Sequence, residues 1–317
     1  LLKNKIMLSK QPSSDIIVYV TLPHSMGKTA KSDIYQGWVD CFSNAFGATH
    51  VKVEQMTESI APYYYILGNA TNIGANGESI DLNKNALNVD IGGGTTDMLF
   101  ADVEGKKFYY NSSLFAGNDI WGDCLQLASN DVKNNGFLLY FEKLLNAGTL
   151  IANDEIKDAY ESFKKNAISS ADLMSYIFKY ENIFHFSDYI KRSNEGFMPL
   201  LFVHFGALMY YVSMTIKHLG IAVPSTVVFS GMGSKYIQLL DPNVGSLTLT
   251  TKKILGHFMG YADDKMPGDF KVIFQKEPKK VTAQGSMLLE TSAINDYKSY
   301  EADAVCVLGI DDEGKEI

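Results

Sequence analysis

The sequence predicts an α/β fold, and three observations carry that prediction. Apolar residues make up 46% of the 317 residues and charged residues 20%, which suits a packed core and excludes a disordered chain. Short β-branched runs alternate with segments of helical periodicity, the order typical of α/β proteins. Three consecutive glycines, Gly92 to Gly94, separate two apolar runs and mark a tight turn between strands. At this length we expect one large domain or two of ordinary size.

The first part of the chain supplies the alternating strands and helices. Residues 16–20 form a continuous β-branched run that predicts a buried strand, and residues 32–45 carry apolar side chains at helical spacing. A short strand over 51–53 and a helix over 57–67 repeat this order. Residues 72–86 are rich in Asn, Gly, Asp and Ser, which predicts an exposed loop.

The remainder adds a strand pair linked by glycines and then mostly helices. Residues 87–90 and 98–103 predict strands on either side of the glycine triplet, and residues 108–110 predict a third strand after a hairpin. Residues 120–220 are mostly helical in pattern, and residues 227–229 form another apolar strand. The meander and the later strand therefore belong to one sheet in this prediction.

One stretch is long enough to span a bilayer, since residues 197–216 contain no Asp, Glu, Lys or Arg. Pro199, His204 and Gly206 interrupt it, and the sequence contains no second stretch of this kind. We therefore expect a helix buried on most sides inside the protein, and no membrane contact.

Charge and cysteine content exclude several classes of function. Acidic residues outnumber basic ones 36 to 28, giving a net charge of −8, so the surface repels phosphate backbones and nucleic acid is not expected as a partner. Three cysteines lie far apart without a CxxC pair, which is typical of a reducing cytoplasm. Six scattered histidines show no spacing typical of metal ligands.

The glycine triplet carries the strongest chemical signal. Gly92, Gly93 and Gly94 can bring backbone N–H groups close to a ligand, because no Cβ atom stands in the way. Such a nest binds phosphate oxygens well. Thr95 and Thr96 follow directly and add hydroxyl donors. The segment therefore predicts a phosphate-binding turn.

Two acids bracket this turn. Asp90 and Asp97 would repel a phosphate by themselves, but a Mg²⁺ ion between them and the phosphate reverses that effect, and carboxylates usually hold Mg²⁺ through its waters. Both are therefore the predicted metal ligands. The alternative is an ordinary glycine-rich hairpin, although tight hairpins rarely need three glycines and two flanking acids.

A second turn follows the strand at 227–229. Gly231, Gly233, Ser234 and Lys235 open a helix there, but the third glycine of a GxGxxG dinucleotide fingerprint is missing. Taken alone, this pattern fits a plain strand-to-helix turn equally well. The sequence contains no GxxxxGK[ST] motif, so a P-loop is excluded.

Together these segments resemble the actin-like ATPases, which include DnaK-type chaperones, bacterial actins and sugar kinases. The segment from Asp90 to Asp97 resembles their second phosphate-binding turn, and is more similar to the chaperone and bacterial-actin branches than to the sugar kinases. The other matching segments follow in the family's order: a strand at 16–23, the first connecting helix at 51–68, a chaperone segment at 116–123, the adenosine turn at 227–235 and the second connecting helix at 277–285. The resemblance therefore extends over nearly the whole chain.

The resemblance implies a ribonuclease H-like actin/chaperone ATPase fold, in which two lobes enclose a nucleotide cleft and the first lobe is incomplete. Residues 1–86, completed by 278–300, would be the remainder of the first lobe. Residues 87–277 would form the second lobe with a helical subdomain, and residues 301–317 a tail or the start of a further domain.

The resemblance also implies ATP or ADP and Mg²⁺ as cofactors and assigns roles to residues. Asp90 would orient the Mg²⁺ shell and the attacking water. The phosphates would lie on Gly92, Gly93, Gly94 and Thr95, and adenosine on Gly231, Gly233, Ser234 and Lys235. A Glu or Gln of the first connecting helix helps to position the water in this family. Gln55 and Glu58 both match that position, and we take Glu58 as the catalytic candidate.

One departure from the family is large. The first phosphate turn, an Asp-x-Gly hairpin, has no counterpart in residues 1–15, since residues 1–11 contain neither Gly nor an acid. We therefore expect a fragment that folds but is nearly inactive as an ATPase, with hydrolysis in the intact parent protein. Its partners would be adenine nucleotide, the missing N-terminal part of the parent chain and further copies of itself. The alternatives are a non-catalytic actin-fold scaffold and a filament-forming bacterial actin-like protein.

Overall fold

The structure is a computed structural model that describes residues 16–22, 27–47, 49–121, 136–148, 154–165, 170–193, 197–262, 265–276, 281–288 and 298–301. Its first unit consists of two parallel strands, β1 (Ile16–Leu22) and β2 (Val51–Thr57), which are connected through helix α1 (Lys28–Phe46). Parallel strands need such a crossover, so the predicted strand–helix–strand order is confirmed. The helix begins before the predicted start at residue 32, and β2 continues beyond residue 53.

The second unit is built on a six-stranded sheet. Its strands are β3 (Ala86–Ile91), β4 (Thr96–Asp102), β5 (Lys107–Ser113), β6 (Thr226–Ser230), β7 (Lys271–Phe274) and β8 (Lys298–Glu301). The spatial order is β7-β6-β3-β4-β5-β8, with β3, β4 and β5 in an antiparallel meander and β6 and β7 parallel to β3. A meander extended by two parallel strands beside its first member is the ribonuclease H-like arrangement. The predicted fold class is therefore confirmed.

Helices cover both faces of this sheet. They are α2 (Ala61–Gly68), α3 (Gly117–Trp121), α4 (Gly136–Asn146), α5 (Asp154–Lys165), α6 (Ser170–Lys179), α7 (Glu181–Phe184), α8 (Phe186–Ser193), α9 (Phe197–Leu219), α10 (Lys235–Leu240), α11 (Val244–Met259) and α12 (Val281–Met287). Helices α4 to α8 form the predicted helical region in the middle of the chain.

Alternation along the strands decides which face each residue occupies. Leu87 and Val89 of β3 belong to the large core cluster that includes α9, α10 and α11, whereas Leu99 of β4 packs with Ile66 of α2 on the opposite face. Asp90 and Asp97 have the parity of this opposite face, so both acids lie on the side of the sheet that α2 covers.

The C-terminal strand joins the second unit. Residues 298–300, which were predicted to complete the first lobe, lie in β8 and pair in parallel with β5. Residues 302–317, which belong to the predicted tail, lie outside the described residues, and so do residues 1–15.

Two short helices cross where the units meet. Gly285 of α12 lies so close to the backbone of Ala61 in α2 that an added Cβ would overlap the Ala61 carbonyl oxygen and lie 2.7 Å from its carbon. The same helix reaches the first unit, because the Ser286 hydroxyl lies 3.6 Å from the Met56 sulfur. A glycine is required at this crossing because no side chain fits between the two backbones.

Helix α9 is buried on one side only. Leu201, Phe205 and Leu208 lie in the core, but Val203 is 69% exposed and Leu200 51% exposed. In the described part of the chain it is the helix that is long and apolar enough to cross a membrane, with 39% of its most apolar window buried. The prediction that this helix is buried on most sides is therefore wrong.

Candidate functional site

The predicted acids face each other at the end of the β3–β4 pair. Asp90 and Asp97 are directly opposite in the antiparallel register, an arrangement of like charges that destabilises a sheet. Asp97 is buried and accepts hydrogen bonds from Ser59 Oγ at 3.0 Å and Thr95 Oγ1 at 3.3 Å. A destabilising pair at a strand end, held by hydroxyl groups, is typical of a functional site rather than a structural one.

Glu58 belongs to the same cluster. It directly follows β2, and its backbone N–H donates to the Leu22 carbonyl oxygen at 3.1 Å, which fixes it at the carboxyl ends of the two parallel strands. Burial and then the charge of Asp97 raise the pKa of Glu58. Gln55, the other candidate, is exposed within β2 and pairs with Val20. The fold therefore brings Glu58, and not Gln55, to the acids.

The carboxyl group of Asp90 is strongly perturbed by its surroundings. Burial, followed by the charges of Asp97 and Glu58, raises its pKa to about 7, although hydrogen bonds with Thr282 and Ser230 act in the opposite direction. The cluster thus concentrates negative charge in a site with little water. A bound cation stabilises such a site, because it neutralises the repulsion among the carboxylates.

This pKa predicts how stability depends on pH when no cation is bound. Because the pKa of Asp90 is higher in the folded state, its contribution to stability is fully present below about pH 4 and is lost as the pH rises from there to about 7. We expect the free energy of unfolding to fall by about 2 kcal/mol from this group between pH 5 and pH 8. Asp90→Asn should remove that part of the slope, measured by urea unfolding in EDTA at both pH values.

Asp33→Asn, a change on the exposed face of α1, is the matched control and should leave the slope as it is. Equal slopes for wild type and Asp90→Asn would contradict the perturbed pKa of Asp90.

The donor set fits Mg²⁺ held partly by water. The described residues contain no group of three Asp, Glu, His or Cys side chains placed to hold a metal ion directly. Asp90 and Asp97 nevertheless supply hard carboxylate oxygens on one face of the sheet, and Mg²⁺ commonly binds one or two carboxylates while it keeps several waters.

Three glycine turns converge beside the acids. The first closes with a hydrogen bond from Gly92 N–H to the Thr95 carbonyl oxygen at 2.8 Å. The turn that opens α3 packs onto it, since Gly117 N–H donates to the Gly92 oxygen at 3.1 Å and Asn118 N–H to the Gly93 oxygen at 2.8 Å.

The third turn is the predicted adenosine turn. Gly231 has a φ of +75°, and a Cβ there would overlap the Ile91 carbonyl oxygen and the Asp90 carboxylate. A Cβ at Gly233 would lie 2.5 Å from the Gly92 oxygen. The close contact of the two turns therefore depends on glycine at both positions.

A cavity of about 200 Å³ opens between these turns and α6. Backbone of the three turns forms one wall, and Trp121 of α3 with Ser175 and Phe178 of α6 forms the other. Backbone amides on one side and aromatic rings on the other are suited to a ligand with a polar and a flat apolar part.

The other predicted residues lie in or beside these turns. Gly93 and Gly94 are exposed, and a Cβ at Gly94 would meet nothing within 4 Å. Thr96 is buried, and its hydroxyl donates to the Phe115 carbonyl oxygen at 2.6 Å, so it anchors the turn. Ser234 is also buried and donates to the Gly231 oxygen at 2.7 Å, whereas Lys235 is half-buried at the start of α10.

Several residues of the site were not predicted from the sequence. Ser59 could have been found because it directly follows Glu58. Thr282 had no such signal, because it lies far along the chain at the start of α12. Ser175 and Phe178 lie in the helical region, where no motif distinguishes them.

The ribonuclease H-like sheet, the β1–α1–β2 unit beside it and the crossing of α2 and α12 give the described residues the arrangement that the resemblance to the actin-like ATPases implies. No protein-family profile matches the sequence, and no curated protein matches it.

The solved structures to which the chain is similar include the following three. The ethanolamine utilization protein EutJ from Carboxydothermus hydrogenoformans is 14% identical with a TM-score of 0.37, over 90% of this chain and 71% of EutJ. MreB5 of Spiroplasma citri bound to ADP is 15% identical with a TM-score of 0.35, over 93% and 74%. The PilM–PilN type IV pilus biogenesis complex is 14% identical with a TM-score of 0.35, over 80% and 58%.

Proposed function

We propose that the chain forms the nucleotide-binding part of an actin-like ATPase, which binds adenine nucleotide with Mg²⁺ and, in the complete natural protein, hydrolyses ATP. The observation that supports this proposal is the convergence of three glycine turns beside the acids Asp90 and Asp97. The exposed residues Gly93 and Gly94 offer backbone N–H donors for phosphate oxygens, and Asp90 and Asp97 would hold the Mg²⁺ ion.

Each residue of the site has a distinct task in this proposal. The backbone of Gly92, Gly93 and Gly94 binds the phosphates, and the cavity beside Trp121 and Phe178 takes the nucleoside. Mg²⁺, when bound, withdraws charge from the phosphates and favours attack by water. The Glu58 carboxylate orients that water and, because its pKa is raised, accepts a proton from it readily. We further propose that the protein works in the cytoplasm.

Gly94→Ala tests the phosphate-binding role of the turn. The added methyl group meets no atom of the chain within 4 Å, so the fold should be unchanged, but it occupies the space in front of the exposed amides. We expect the dissociation constant for Mg-ADP to rise at least about tenfold, equivalent to about 1.4 kcal/mol, by isothermal titration calorimetry.

Gly268→Ala is the matched control, because its Cβ also meets nothing within 4 Å and it lies in a different loop. If wild type shows no heat of binding with ADP or ATP at millimolar concentration with Mg²⁺, the proposed function fails. If both variants bind as wild type does, the phosphates do not lie on this turn.

A further inference from the structure

The exposed side of α9 is apolar over its whole first half. Val203 is 69% exposed, Leu200 51% and Phe202 47%, and Pro199 and Tyr210 lie on the same side. Residues 197–216 carry no charged side chain, so the uncharged composition extends to the side that the rest of the described chain leaves open. Contiguous exposed apolar surface of this kind marks an interaction site.

Gly206 gives a second, independent observation on the same side. Glycine inside a helix costs about 0.5–1 kcal/mol relative to alanine, and it leaves a gap on the helix surface that a neighbouring group can enter. A Cβ at Gly206 would meet no described atom within 4 Å. The described chain therefore gives no reason for this glycine, whereas Gly285 in α12 has one in the Ala61 backbone.

The spacing of the side is self-complementary. Pro199, Val203, Gly206 and Tyr210 follow one another at intervals of four, three and four positions, which read the same in both directions along the helix. In an antiparallel pair of identical helices, Val203 of one copy thus meets Gly206 of the other. The Val203 side chain, which is 69% exposed in a single copy, then enters the gap that the glycine leaves, twice in each pair.

From these observations we propose that α9 is a self-association surface, at which two copies of this chain pair antiparallel about a two-fold axis between Val203 and Gly206. Identical uncharged sides meet without repulsion, although each copy has a net charge of −8. The same charge opposes an anionic membrane, and the side lacks the Lys and Arg residues that interfacial helices carry.

The size of the surface predicts a weak dimer. One helix pair of this length buries about 800 Å² in total, which is at the low end for specific interfaces. We therefore expect a dissociation constant of about 10–100 μM. This inference does not depend on nucleotide binding.

Sedimentation equilibrium of the full chain over about 5–200 μM tests it. Wild type should be in monomer–dimer equilibrium, and Val203→Glu should raise the dissociation constant at least about tenfold, because it places a charge in the contact. Leu139→Glu changes an exposed leucine of α4 and is the matched control that should dimerise normally. Circular dichroism should show equal helix content in all three proteins.

Gly206→Ala separates this role from a structural one. Because the methyl group has no neighbour in the described chain, the variant should unfold at a higher temperature as a dilute monomer. It should nevertheless dimerise about tenfold more weakly, since the gap for Val203 is filled. A merely structural glycine would not produce these opposite signs.

Three results would overturn the proposal. They are a wild-type chain that remains monomeric at 200 μM, a dimer that is equally strong in Val203→Glu, and flotation of wild type but not Val203→Glu with phosphatidylcholine vesicles. The last result would assign the surface to lipid.

Discussion

Asp90→Asn is expected to lower ATP turnover at least about a hundredfold in the complete natural protein while the fold is retained. The substitution removes a charge that organises the metal ion and the water around the phosphate, and losses of this size are usual for such a group. Removing the charge also relieves the repulsion among Asp90, Asp97 and Glu58. The variant should therefore be inactive but, at pH 8 without metal, more stable than wild type.

Phosphate release at saturating Mg-ATP, together with urea unfolding in EDTA, measures both effects. Asp33→Asn on α1 is the control that should change neither. Unchanged turnover with normal Mg²⁺ dependence would remove Asp90 from the mechanism, and a large loss of stability would assign it a structural role instead.

Gly285→Ala is expected to reduce the free energy of unfolding by about 3 kcal/mol or more. The new Cβ overlaps the carbonyl oxygen of Ala61, and neither backbone can move unless α2 and α12 separate. Their separation would also displace Thr282 from Asp90, so nucleotide affinity should fall as well. Chemical denaturation and calorimetry with Mg-ADP measure the two losses.

Gly37→Ala supplies the comparison, because Gly37 also lies inside a helix but its Cβ would meet nothing within 4 Å. That variant should gain about 0.5–1 kcal/mol from helix propensity. If Gly285→Ala were equally stabilised, the close crossing of α2 and α12 would be refuted.

Much of the fold could be predicted from local pattern. The β-branched run at β1, the glycine triplet between β3 and β4 and the helical periodicity of the middle region each depend on neighbouring residues, and these three features are present in the described chain. The pairing of Asp90 with Asp97 follows from the same local pattern, since a tight turn places the residues on its two sides opposite each other.

Contacts between segments that are distant along the chain could not be predicted from local sequence patterns. Gln55 and Glu58 both matched the family position, and Glu58 was favoured. The end of β2 at Thr57 decides that Glu58 reaches the acids while Gln55 stays exposed. Thr282 joins the same site because α12 crosses α2, and no pattern within α12 indicates which of its residues faces a carboxylate.

Helix α9 shows the limit most clearly. Its apolar sequence by itself determined that a long uncharged helix forms, because periodicity and propensity act over a few residues. Which sides of that helix are covered depends on the other elements, and the described elements leave the side with Val203 and Gly206 open. The composition of α9 shows that the helix is apolar. Only the three-dimensional arrangement decides which of its residues are buried, because burial depends on the elements that pack against them.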